Sequence, residues 1–214
     1  MDFLKTYKKL LINSLNEHKK IIIILYAFFI IVFITAWLLY PQETAKTLPS
    51  TANTTGTPQL DNVNPVSIFI NNEFGGLVTY FSSVLFAIPS IVILGYNALN
   101  LGCIGTLFSA MGWKFGIQYI FYLIPHGIFE ITATVLESTA GILLFTFIWK
   151  FIKNLIKSKC EGLRSKLSES FENSENPLIQ SIALMIFTCI LLLIAALIES
   201  YISVPFSQFI VSIL

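Results

Sequence analysis

Three apolar runs, at residues 21–40, 74–149 and 178–199, constrain this 214-residue chain more than anything else in it. Each is at least as long as the roughly 20 residues a helix needs to cross a hydrocarbon core about 30 Å thick. Inside lipid every main-chain polar group must be satisfied within the protein, so continuous apolar runs of this length are read as helices. Of the residues, 55% are hydrophobic and only 12% charged, and the mean hydropathy is +0.77. A soluble domain of this size has no core large enough for so much apolar surface. The expected fold is therefore all-α: a polytopic integral membrane protein with about five transmembrane helices and interfacial helices at both ends.

Charge sets the expected topology. Eleven of the thirteen Lys and Arg fall within residues 1–20 and 150–166, and segments that retain basic residues are held on the cytoplasmic side. Residues 1–20, with Phe3, Tyr7, Leu11 and Leu15 at helical spacing among five lysines, read as an interfacial helix on an anionic inner leaflet. Residues 21–40 form the first span; a secretory signal shares the basic-then-apolar order, but this apolar core is longer and no small-residue cleavage site follows, so it reads as an uncleaved anchor. Residues 41–66, rich in Thr, Asn and Pro, read as a loop on the outer side.

An odd number of crossings must join that loop to Lys150. The partition is 74–96 inward, 99–124 outward and 128–149 inward, broken at Pro125-His126-Gly127; the alternative is a break at Gly112-Trp113-Lys114 that leaves a re-entrant half-helix before it. Residues 150–177 are then a cytoplasmic loop, 178–199 a last span, and 200–214 an apolar tail along the outer surface. Ala98, Gly102, Thr106 and Ala110 recur every four residues, a stripe that lets another helix approach closely. The formal charge of +1 excludes a basic nucleic-acid binder. Cys103, Cys160 and Cys189 lack the spacing of a disulfide framework or zinc site and read as packing residues.

Ionisable residues within apolar spans are costly and are functional candidates by default. Beyond the first span these are Glu73, Lys114, His126, Glu130, Glu137 and Glu199. By helical rise, Glu73, His126, Glu130 and Glu199 gather at the outer membrane edge. His126 and Glu130 are four apart, about 6 Å along one helix face, whereas Glu137 lies roughly 16 Å from His126. A His beside a Glu suits acid–base chemistry on a peptide or other ligand; the structural reading of the same pair is a glutamate capping a helix that starts after Pro125. HxxxE lacks the two histidines of the zinc-protease HExxH motif, so metal and cofactor stay open. In a hairpin about residues 125–127, Lys114 and Glu137 come level about 15 Å deep, as a buried ion pair that sets register or as a proton-transfer pair.

Pro125-His126-Gly127-Ile128-Phe129-Glu130, with Ala195-Ala196-Leu197-Ile198-Glu199, resembles the stage II sporulation protein M family of multi-span membrane proteins. The resemblance covers most of the chain from about Lys19; the family's usual Leu-Pro-Ala stands here as Ile131-Thr132-Ala133, and Glu137 occupies a place where a small residue is more typical. It implies a multi-pass protein of a bacterial cell membrane. The sporulation members anchor a cell-wall-degrading assembly, while others accompany circular bacteriocins and are linked to precursor maturation, head-to-tail closure, export or immunity. The hexapeptide and Glu137 point to the second branch. The implied partners are membrane lipid and an apolar precursor peptide or other membrane proteins, with a homo-oligomer open to it. Three functions compete: a membrane-embedded peptidase or cyclase using His126, Glu130, Glu199 and Glu73; a non-catalytic scaffold or immunity protein; and a transporter, for which the chain is short and shows no inverted repeat.

Overall fold

The computed structural model describes residues 2–40, 64–160 and 162–213. Nearly all of the expected outer loop falls outside these residues, as does the side chain of Phe3. The elements are α1 (Asp2–Leu39), α2 (Pro65–Ser82), α3 (Ile88–Ala110), α4 (Trp113–Lys157), α5 (Leu163–Glu172), α6 (Glu175–Ile198), a π-helical turn (Glu199–Ser203) and α7 (Val204–Ile213). The all-α membrane architecture is realised: α1, α3, α4 and the continuous stretch Glu175–Ile213 are long and apolar enough to cross a membrane. The remaining long helix, α2, carries Asn71, Asn72 and Glu73 and is more polar.

Four boundaries differ from the sequence reading. Residues 1–20 and 21–40 form one helix, because no Pro or Gly interrupts them and Tyr7, Glu17 and His18 are tied to the start of α6. Tyr7 donates to the Ala183 carbonyl at 3.1 Å, Gln180 donates to Glu17 at 2.6 Å, and His18 Nε2 lies 2.9 Å from Gln180 Oε1. The expected span 74–96 is split, since Ser83 ends α2 and Pro89 opens α3 in its first turn, where a missing N–H costs nothing. The expected span 99–124 is cut at Gly112, whose φ of 133° is open to glycine and strained for other residues. Conversely, the break expected at Pro125 does not occur: Pro125 lies inside α4, which runs unbroken for 45 residues. A proline deletes one N–H in a helix, and in a membrane bundle neighbouring groups re-satisfy the freed carbonyl.

The central element is α4, which touches every other described helix. On one side Ala133, Leu136, Ala140, Leu143 and Leu144 pack against Tyr80 of α2 and Leu184, Leu191 and Leu192 of α6. On the other, Val135 packs against Leu25 and Phe29 of α1 and Leu94 and Ala98 of α3. Ser181 donates to the Ala140 carbonyl at 2.7 Å, and Tyr119 donates to the Leu101 carbonyl at 2.8 Å, so α6 and α3 both run antiparallel to α4. The small-residue stripe is the α1–α3 seam. A Cβ on Gly102 would stand 2.5 Å from the Phe33 carbonyl oxygen, and one on Gly105 2.6 Å from the Trp37 ring; Thr106 donates to the Trp37 carbonyl at 2.8 Å.

Beyond the spans, Asn154 donates to Ser174 at 2.9 Å and draws the end of α4 to the start of α6. Ser158 and Cys160 hydrogen-bond Glu169 of α5 and hold its carboxyl below the usual glutamate range. The basic residues of α1 and those of 150–166 thus lie at the same end of the bundle.

Filling the α1–α3 seam is the direct test of this packing. Gly102→Ala should destabilise the detergent-solubilised protein by about 1–3 kcal/mol, the usual cost of overpacking, whereas Gly75→Ala, whose added Cβ meets nothing within 4 Å, should not lower the melting temperature.

Candidate functional site

The end of α6 meets the middle of α4 where three ionisable side chains converge. His126 is 3% exposed, its Nε2 lies 3.8 Å from Glu130 Oε2, and Glu199 comes in from the π-helical turn. One ligand atom from each of the three lies within 4.8 Å of the others. His126 and Glu130 share a face through their four-residue spacing. Glu199 is added by tertiary structure, at the first residue of a turn whose wider winding re-aims side chains and recurs at functional sites.

Groups that sequence reasoning missed hold this centre in place. Ser203 Oγ is 2.9 Å from His126 Nδ1, which leaves Nε2 on the side of Glu130. Tyr122 donates a short hydrogen bond to Glu199 Oε1, and its ring meets the His126 ring edge-on at 5.0 Å. Tyr122 carries a sequence signal, one turn before His126 on the same face. Ser203 carries none, because it lies in the tail expected to run along the outer surface; the tail instead packs on α4, with the Phe206 and Phe121 rings 5.7 Å apart.

Since α4 starts at Trp113, about 20 Å of helix separates His126 from its N-terminal end. Glu130 therefore does not cap a helix start. Glu73 is not part of the three-residue cluster; its buried Oε2 has no hydrogen-bond partner among the described residues. The Lys114–Glu137 pair does not form either. Both lie on α4, twenty-three residues apart, or about 34 Å; the exposed Lys114 has its Nζ 5.7 Å from the Trp113 ring centroid. The hairpin that would have brought them level does not exist.

Glu137 occupies a second polar place. It is 2% exposed, and its Oε1 has no hydrogen-bond partner among the described residues. Its carboxylate fills the space over Gly76, where an added Cβ would stand 2.3 Å from Oε1. A cavity of about 220 Å³ joins Glu137 to Glu130, lined also by Thr134, Phe29 and the amides of Asn71, Asn72, Asn97 and Asn100. The site is thus a polar cleft inside an apolar bundle, with the His126 centre at one end and Glu137 towards the other.

Over residues 22–204 the sequence matches the model of the family described as Stage II sporulation protein M. The chain belongs to that family. No curated protein and no solved structure matches it significantly. The match spans α1 to the start of α7, and so takes in every residue of the centre.

The close approach of α2 to Glu137 gives a test. Gly76→Ala should destabilise the fold by roughly 1–3 kcal/mol through overpacking, and Glu137→Ala should relieve that loss. A double-mutant cycle by thermal unfolding in detergent should return a coupling of about 0.5–3 kcal/mol; additivity would show that the two do not touch.

Proposed function

We propose that this chain is a membrane-embedded maturation protein of circular bacteriocin biosynthesis, acting on an apolar precursor peptide at the His126–Glu130–Glu199 centre by leader removal, head-to-tail closure, or both. The carrying observation is the convergence of these three groups, from α4 and the π-helical turn, with ligand atoms within 4.8 Å, one of them a buried imidazole engaged at Nδ1 by Ser203. Such a group takes or gives a proton at a carbonyl held beside it. The adjoining cleft suits a peptide: its Asn amides match the donors and acceptors of a main chain, and the surrounding bundle limits bulk water, which favours bond formation over hydrolysis. Within the family the chain belongs to, the Pro125–Glu130 hexapeptide supports the bacteriocin branch.

The second reading, a non-catalytic scaffold or immunity protein, is favoured by one specific observation. Tyr122 and Ser203 both bond to groups of the centre, so the cluster also locks the tail to α4. In either reading the basic end of the bundle faces the cytoplasm, by the retention of Lys and Arg on that side.

Co-expression with a candidate apolar precursor separates the two. Wild type should yield a product of the mass of the processed or cyclised peptide. Glu130→Gln and His126→Ala should lower its yield by about 100-fold or more, the lower range of general acid–base contributions, at unchanged membrane levels; undiminished product would leave the scaffold. Reporter fusions placed in residues 41–63 should read as extracytoplasmic and fusions near Lys157 as cytoplasmic.

A further inference from the structure

We infer that His126, Glu130 and Glu199 form a binding site for a divalent first-row transition metal ion, zinc being the natural probe. The inference deepens the maturation reading, on which it rests for its chemistry alone; as a binding site it stands on geometry.

Three features converge. The first is the donor set. An imidazole nitrogen and two carboxylates are ligands that zinc accepts at about 2.0–2.2 Å, and the mixture of nitrogen and oxygen sets the site apart from the oxygen-only shells of calcium and magnesium. The second is spacing. Nε2 and Glu130 Oε2 are 3.8 Å apart, too far for a hydrogen bond and short enough for one ion to bridge, with a Glu199 oxygen inside the same 4.8 Å limit.

The third feature is independent of the ligand atoms. His126 is 3% exposed, and Ser203 engages its Nδ1 edge, which leaves Nε2 on the side of Glu130. Glu199 is likewise held through one oxygen, by Tyr122. Metal-binding histidines and carboxylates are oriented by such outer hydrogen bonds, from the nitrogen or oxygen that does not ligate. Two carboxylates gathered in a low-dielectric interior repel each other strongly, and a divalent cation between them makes a neutral unit. Three protein ligands leave a fourth position open, the arrangement of catalytic zinc sites, and Glu130 also lines the cleft from which a carbonyl oxygen would approach.

The test is metal uptake by the full-length protein, purified in detergent, stripped with a chelator, desalted and titrated with Zn²⁺, with elemental analysis of the recovered protein. The expected result is one zinc per chain. His126→Ala and Glu199→Gln, which lie on different elements, should each abolish stoichiometric uptake, while Glu73→Gln should keep it. Ser203→Ala, with all three ligands intact, should weaken affinity by about 10–100-fold, as the loss of an outer orienting bond does. Failure of the wild-type protein to retain one equivalent overturns the inference without reference to any variant, as does equal uptake by wild type and His126→Ala. Product mass distinguishes the two proposals: processing by stripped protein that takes up no zinc sinks the metal site alone, and stoichiometric zinc without product from any precursor sinks the maturation reading alone.

Discussion

An ionised or polar side chain in a lipid-solvated bundle must find its partners within the protein, because the bilayer core supplies none. That constraint organises the molecule around α4, the helix that carries His126, Glu130 and Glu137 and touches every other described helix. Ser203 and Glu199 reach His126 and Glu130 on α4, and Gly76 gives Glu137 room against α2, where its Oε1 stands without a hydrogen-bond partner among the described residues. The apolar residues between them supply the packing, which in lipid acts through close van der Waals fit and small-residue seams more than through exclusion of water.

The two irregular features of the helices serve the same end. Pro125 removes the N–H that would bond the Phe121 carbonyl, one residue before His126. The π-helical turn Glu199–Ser203 carries both Glu199, which joins the three-residue cluster, and Ser203, which lies within hydrogen-bond distance of His126.

Much of this was legible beforehand, and where it was not the reason is specific. The helical class, the apolar runs and the membership of His126, Glu130 and Glu199 in one locality follow from periodicity, rise and the cost of charge in lipid. The turn at Gly112 was legible only as the less favoured of two breaks, because Pro125 is the stronger breaker in water and the weaker one here: its lost hydrogen bond is cheap to replace inside a bundle, whereas the φ of 133° at Gly112 demands glycine. That single exchange undoes the Lys114–Glu137 pairing and the capping role of Glu130. Depth alone groups Glu73 with the centre, and depth along an axis says nothing about azimuth around it; on α2 Glu73 stands outside the cluster.

By itself the sequence determined that the chain lives in a membrane as a set of helices, that its basic residues belong to one end, and that His126 and Glu130 share a face, because hydropathy, charge and the 3.6-residue period are local properties. Tertiary structure alone decided that Tyr122 and Ser203 complete the centre, that Glu137 stands apart over Gly76, and that a cleft joins Glu137 to Glu130. Those relations depend on how helices rotate and cross, and no local pattern carries that information.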